Sequence, residues 1–169
     1  MTHERDRFDR ITNDYIPATD FCEFSFKWNK ENGKGLRDDN QEFRTKLIQR
    51  VLQCKHKQIP WLLIKDLFLE HTKVCKESWG ASSDYTKLSE LYFRECNGRS
   101  FKEYLFALDS SMDTWCGGLS FSMPKNEFDP IAEKIRETIH KTDDIAMRKA
   151  LKKGLNLIED AVVKTDESE

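Results

Sequence analysis

The stretch Pro60–Trp79 constrains the fold most, because it is the most apolar run in an otherwise charged sequence. At about 100° per residue, most of its apolar side chains fall on one broad helical face. Leu62 and Leu69 lie on the opposite, polar face, which predicts that a second element covers them. The pattern therefore predicts a central helix over 60–79, packed on two sides and ended by Gly80.

The length of 169 residues predicts a single domain over 1–169, with residues 1–10 and 164–169 frayed at its ends. Hydrophobic residues make up 38% of the chain, which is enough for a core and excludes a wholly disordered protein. The net charge of −2 gives no global indication of binding to nucleic acid or to an anionic membrane. A chain of this size needs no metal or disulfide for stability, and we expect no cofactor.

Apolar periodicity predicts about six helices in all, arranged around the central helix, so the expected fold class is mostly α with a minor β part. Asp39 with Glu42, and Ser100 with Glu103, have the spacing of capping boxes. In such a box, two side chains bond the free N–H groups at a helix start, so we expect helices to begin at both places.

Two apolar stripes near the C-terminus predict an αα-hairpin. On one continuous helix, the stripe of Ile131–Ile139 and the stripe that begins at Met147 would be roughly 160° out of phase. We therefore expect two antiparallel helices, a tight turn near 140–144, and Asp143 as the N-cap of the second helix. A row of small residues on that second helix permits close approach of a neighbour: Ala146, Ala150 and Gly154.

Two segments show the alternation of apolar and polar residues that is typical of strands. Residues 21–28 alternate from Cys22 to Trp28, and residues 119–123 alternate from Leu119 to Met123. Because isolated strands need partners, we predict that these two segments pair with each other as a small β ribbon.

The cysteines are five in number, scattered, and without a CxxC pair, which is typical of reduced core thiols in the cytosol. The charged N-terminus lacks the apolar run of a signal peptide. No segment approaches the roughly 20 apolar residues of a membrane span. We therefore expect a cytoplasmic protein that does not act at a membrane, and its oligomeric state stays open.

The local sequence Trp115-Cys116-Gly117-Gly118 is unusual, and it raises the possibility of thiol-dependent acyl transfer or hydrolysis. Glycines after a cysteine allow backbone N–H groups to face an oxyanion, while His140 with Asp143 would supply the base. The alternative is a glycine turn that leads into a strand, with Cys116 as a small buried side chain. The second interpretation is favoured, because activated thiols usually lie at helix N-termini.

His71 and Cys75 lie four residues apart on the central helix, a spacing that brings two metal ligands together. A zinc site needs two further ligands, and no other pair in the sequence has a suitable spacing. A core histidine beside a core thiol is therefore the favoured interpretation, and we expect no metal.

Two basic faces offer a possible nucleic-acid surface, at 44–57 and at 145–156. Ordinary solvated charge is the favoured interpretation, because Glu159 and Asp160 lie seven residues from Lys152 and Lys153 on the second of these helices. The candidate residues are Arg44, Lys46, Arg50, Lys55, Lys57, Arg148, Lys149, Lys152 and Lys153.

A non-catalytic protein-interaction module is the interpretation that remains once these chemical motifs are weighed. Aromatic residues near expected loops would form the contact patch, since exposed Trp and Tyr dominate interaction hot spots. These residues are Tyr15, Trp28, Trp79 and Trp115. Such a module would be an adaptor, an inhibitor or an accessory subunit. Nucleic-acid binding is the first alternative and thiol catalysis the second.

Overall fold

The computed structural model describes residues 2–29, 37–54, 59–78, 80–96 and 98–164. The chain is 76% helical, so the predicted mostly α fold class with a minor β part is confirmed. The described residues form nine helices rather than about six: α1 (Thr2–Asn13), α2 (Pro17–Phe24), α3 (Gln41–Gln53), α4 (Trp61–Ser78), α5 (Ser83–Glu95), α6 (Phe101–Leu108), α7 (Met112–Gly118), α8 (Lys125–His140) and α9 (Ile145–Val162).

The chain divides into two compact units, residues 1–79 and residues 80–169. The prediction of a single domain stays a prediction, because compact units of one chain can still fold cooperatively. Residues 2–10, which we expected to fray, belong to α1. At the other end, 165–169 lie outside the described residues, so fraying at both ends also stays a prediction.

The predicted ribbon between 21–28 and 119–123 is wrong. Instead, β1 (Trp28–Asn29) pairs antiparallel with β2 (Arg37–Asp38), and β3 (Met123–Pro124) pairs in parallel with β4 (Val163–Lys164). The first half of the first segment, residues 21–24, belongs to α2, because Pro17 suits a helix start and Asp20 accepts the N–H of Ile16 at that start. The rings of Phe21 and Phe24 meet at 5.6 Å, which is the i,i+3 contact of a helix.

The predicted central helix is present as α4 and packs against α2 and α3 within the first unit. Leu67 and Phe68 are fully buried, as the apolar face predicts, and Leu63, which was not assigned to that face, is fully buried as well. Leu62, however, is 46% exposed. The expectation that a second element covers the opposite face of α4 is therefore wrong at Leu62.

Two acidic residues on α4 hold the N-terminal segments in place. The Tyr15 hydroxyl donates to Asp66 at 2.7 Å, and the backbone N–H of Phe26 donates to buried Glu70 at 2.7 Å. Asp66 and Glu70 are four residues apart, so both side chains lie on one side of the helix. Burial and the neighbouring Asp66 carboxylate raise the pKa of Tyr15.

The second unit contains the predicted αα-hairpin, formed by α8 and α9. Because β3 precedes α8 and β4 follows α9, their pairing places the start of α8 beside the end of α9. The Asp144 side chain accepts the N–H of Met147, so Asp144 is the N-cap and the prediction of Asp143 is wrong. The apolar stripes face inward on both helices, for example at Ile135 and Ile158.

The two predicted capping boxes are absent. Asn40 is the N-cap of α3, and Ser100 is the N-cap of α6, yet neither side chain bonds the helix start. Ser100 has a φ of 55°, a left-handed conformation in which its hydroxyl does not meet the N–H groups of α6. Gly98 has a φ of 80°, and a Cβ atom there would lie 2.5 Å from the carbonyl oxygen of Lys134.

Candidate functional site

Helices α6 and α9 approach each other closely where Leu105 meets Gly154. A Cβ atom at position 154 would lie 2.7 Å from Cδ1 of Leu105, so a larger residue would displace that side chain. The predicted small-residue row therefore allows close packing at Gly154. Its other members, Ala146 and Ala150, are exposed.

This contact gives each helix a buried flank and an exposed flank. At about 100° per residue, Phe106 lies on the exposed flank of α6 and Leu157 on the exposed flank of α9. Phe106 is 50% exposed and Leu157 is 43% exposed. Phe101 and Met147, near the starts of the two helices, line one cleft, so α6 and α9 run in the same sense. From this direction we infer that the two exposed flanks lie on the same side of the contact between Leu105 and Gly154. We call this surface the α6–α9 seam, and it comprises Phe106, Ala146, Ala150, Leu157 and Ala161.

A cleft of about 410 Å³ opens in the same unit, at the start of α6. Its walls come from the start of α6, the end of α8, the turn between α8 and α9, and the first turns of α9. The lining residues are Gly98, Ser100, Phe101, Lys102, Glu103, Thr138, Ile139, Thr142, Asp143, Asp144, Met147 and Leu151.

The charged residues of the cleft are three acids and one base. Glu103 and Asp143 are exposed, and Asp144 uses one oxygen to cap α9 at 3.0 Å from the N–H of Met147. The base is Lys102, whose Nζ lies 5.7 Å from the centroid of the Phe106 ring. The ammonium group of Lys102 therefore lies near the Phe106 ring, and the other three charged residues of the cleft are acids.

The structure describes three of the four residues of the predicted aromatic patch. Tyr15 is 8% exposed and its hydroxyl is bonded to Asp66, so it belongs to the core of the first unit. Trp28 is half-buried, with its ring 5.3 Å from that of Phe26. Trp115 is half-buried in the second unit, and Trp79 lies outside the described residues. A partner patch at these four positions stays a prediction without geometric support.

Cys116 lies on α7 and does not lead directly into a strand as we predicted. The two glycines that follow Cys116 allow α7 to pack closely against its neighbours. Gly117 faces the side chain of Ala81 and Gly118 faces Leu108, so a Cβ atom at either position would clash. The Cys116 thiol is exposed and lies 3.7 Å from the sulfur of Met112. The two glycines thus belong to a packed helix, which is a structural reason for small residues at these positions.

His140 ends α8 and is exposed, and Asp143 is exposed in the following turn. No hydrogen bond joins either residue to Cys116 within the part of the chain that the structure describes. A thiol nucleophile and its general base must lie within or close to hydrogen-bonding distance of each other. The thiol-catalysis alternative stays a prediction, and it gains no support from this arrangement.

His71 and Cys75 are both buried on the same face of α4. Over the described ranges, no group of three or more His, Cys, Asp or Glu side chains is placed to hold a metal ion. The burial of both side chains agrees with the interpretation of a core histidine beside a core thiol.

The basic faces lie in different units and differ from the predicted surfaces. Arg44 was expected on the exposed side of α3, which is wrong: it is fully buried, ion-paired with Asp38, and donates to the carbonyl of Phe24 at 2.8 Å. Arg50 pairs with Asp9. Lys46 pairs with Glu42 at 3.0 Å, whereas Lys55 and Lys57 lie outside the described residues.

On α9, Arg148 donates to the carbonyl of Thr142 at 2.9 Å and so closes the turn of the hairpin. Lys149, Lys152 and Lys153 are exposed. Among the candidate basic residues that the structure describes, these three lysines have no ion pair or hydrogen bond, and all three lie on α9.

The seam is not evident from the sequence. Phe106 was passed over because it lies off the inward stripe of α6, and Leu157 lies off the stripe of α9 that runs through Leu155 and Ile158. An apolar residue on the polar side of an amphipathic helix was the available signal. It did not show that the two residues border one groove, which depends on the contact between Leu105 and Gly154.

No family model, curated protein or solved structure matches this chain at a significant level. Among the described residues, no helix is both long enough and apolar enough to cross a membrane.

Proposed function

We propose that this chain is a non-catalytic protein-interaction module that acts in the cytosol, as an adaptor, an inhibitor or an accessory subunit. The supporting observation is the α6–α9 seam, where Phe106 and Leu157 leave about half of their side-chain surfaces in solvent. Exposed apolar surface of this kind marks places where a partner contributes the missing contacts.

The shape of the seam supports a protein partner over a small molecule. Its floor is Leu105 against Gly154, and its borders are single apolar side chains with alanines between them. Such a shallow strip suits a helix or an extended segment, which places apolar side chains at regular intervals along a groove. In this proposal Phe106 is the aromatic anchor, the residue type that dominates binding energy at interfaces.

Selection of a random-peptide display library on the full chain tests the proposal. The selected peptides should bind the wild-type chain and lose at least about tenfold in affinity to the Leu157→Ser variant, which corresponds to the loss of about 1.4 kcal/mol. Ile145→Ser is the matched control, because Ile145 is 78% exposed on the same helix but roughly 180° from Gly154.

The proposal fails if the selection yields no specific ligand, or if Ile145→Ser weakens binding as much as Leu157→Ser does. Circular dichroism of both variants checks that α9 remains folded. Both substitutions remove an exposed apolar side chain. A loss of nonspecific hydrophobic binding would therefore lower the peptide affinity of both variants equally.

Nucleic-acid binding is kept as an alternative on the evidence of Lys149, Lys152 and Lys153, which are exposed along α9. The logarithm of the binding constant of such a surface would fall linearly with the logarithm of the salt concentration. A gel shift at low salt with DNA and RNA decides this point. The interaction-module proposal expects no complex, whereas the alternative expects one that the triple substitution of these lysines by serine abolishes.

A further inference from the structure

The cleft and the seam share two helices, because α6 and α9 contribute residues to both. Lys102 and Glu103 line the cleft, and Phe106 lies one turn further along α6. On α9, Met147 lines the cleft while Ala150 borders the seam. We propose that the cleft receives the cationic side chain, a lysine or an arginine, of the protein segment that lies in the seam. This inference rests on the proposed function and adds the chemistry of the partner.

The floor of the cleft suits the methylene stem of such a side chain. Phe101, Ile139 and Leu151 form it, and each is at most 5% exposed. A long basic residue lays its stem along apolar surface of this kind and keeps its charged head at the polar rim. The volume of about 410 Å³ falls within the range of about 300–1,000 Å³ typical of ligand pockets.

The rim supplies the complementary charge. Glu103 comes from α6, while Asp143 and Asp144 come from the turn before α9, so the carboxylates face the cleft from two sides. Within the described ranges, neither Glu103 nor Asp143 has an ion-pair partner of its own. The Lys102 ammonium lies over the Phe106 ring, at the seam end of the cleft. A guest cation would therefore gain two unshared carboxylates.

An anion is the competing occupant, since the start of α6 also lines the cleft and the Ser100 side chain does not cap it. Two observations favour the cation. Glu103 lies in the first turn of α6, where a carboxylate offsets the partial positive charge of the helix start. Asp143 and Asp144 would repel a phosphate at the opposite wall.

Nuclear magnetic resonance titration of the full chain tests the proposal with three defined probes: N-acetyl-lysine N-methylamide, its norleucine analogue, and inorganic phosphate. The lysine probe should shift the amide signals of 98–103 and 138–144 at millimolar concentration. The norleucine probe, which has a similar stem without the charge, should cause much smaller shifts. The Glu103→Gln and Asp143→Asn variants should each weaken the lysine probe about two- to fivefold.

Asp109→Asn is the matched control, because Asp109 is an exposed carboxylate just after α6 that does not line the cleft. Equal weakening by Asp109→Asn would indicate a general charge effect and overturn the proposal. So would shifts with phosphate instead of lysine, equal shifts with norleucine, or no shifts at all. A negative titration leaves the display result intact, so failure of the cleft and failure of the interaction module are distinguishable.

Discussion

Leu105 of α6 lies against the bare backbone of Gly154 in α9, and this contact sets the spacing of the two helices. We predict that Gly154→Val destabilises the chain by about 1–3 kcal/mol, because its methyl groups would occupy the space of the Leu105 side chain. Ala150→Val, at an exposed position one turn away, should change stability by less than about 0.5 kcal/mol. Urea unfolding of both variants measures the difference, and equal values would contradict the close approach.

Two adjacent leucines on α4 should differ sharply in their contribution to stability. Leu63 is fully buried, so Leu63→Ala should cost about 2–5 kcal/mol. Leu62 is 46% exposed, so Leu62→Ala should cost less than about 1 kcal/mol. Thermal or urea unfolding of the two variants checks this contrast. A large loss at Leu62 would restore the two-sided packing that the sequence predicted.

The buried carboxylate of Asp20 should make stability depend on pH in the acid range. It accepts two hydrogen bonds from Arg10, at 2.6 and 2.9 Å, and one from the N–H of Ile16. The Arg10 bonds are the largest cause of a pKa below the ordinary value of 3.8. Because the folded pKa is depressed, this stabilisation is present above pH 3.8 and is lost as the pH falls toward the folded value.

Asp20→Asn should therefore lower stability at neutral pH by about 1–2 kcal/mol and flatten its decline in acid. Asp14→Asn is the control, because Asp14 is an exposed carboxylate on the same segment. Urea unfolding at a series of pH values measures both effects. An unchanged acid slope in Asp20→Asn would show that the Arg10 contact does not stabilise the fold.

Four of the five thiols should fall into two groups of reactivity, and Cys54, which is intermediate in exposure, should react at a rate between them. Cys75 and Cys96 are buried, and burial raises the pKa of Cys96 to about 11, so both should react slowly with an alkylating reagent. Cys22 and Cys116 are exposed, so the expectation that all five thiols are buried is wrong. These two should react at similar rates.

Peptide mapping after timed alkylation measures each thiol separately, and Cys22 serves as the internal control for Cys116. Exposure alone gives the two thiols comparable rates, whereas a catalytic site would activate only Cys116. Labelling of Cys116 at least about tenfold faster than Cys22 would revive the hydrolase alternative. Similar rates would support its rejection.

The sequence predicted elements where one periodicity dominates and failed where tertiary contacts decide. The α8–α9 hairpin and the inward face of α4 follow from regular apolar stripes. Residues 21–28 were assigned to a strand because the spacing of Phe24 and Trp28 happens to fit a period of two. The helix start at Pro17, where Asp20 accepts the backbone N–H of Ile16, overrides that alternation.

Site prediction was weaker, for a related reason. The burial of Arg44 depends on Asp38, six residues earlier, and on a carbonyl of α2, so no local pattern revealed it. Gly117 and Gly118 suggested an oxyanion site, yet their role is contact with Ala81 and Leu108. Predicting the seam would have required the relative position of α6 and α9, which are distant in sequence.

Site-specific photocrosslinking in cells of the source organism tests the central claim most directly. A photoreactive residue at position 157 of the full chain should give discrete protein adducts, and the added Phe106→Ser substitution should abolish them, because both residues border the seam. The same probe at position 145, exposed on the opposite face of α9, should give no such adducts. Absence of adducts at 157, or the same adducts at 145, would contradict the account.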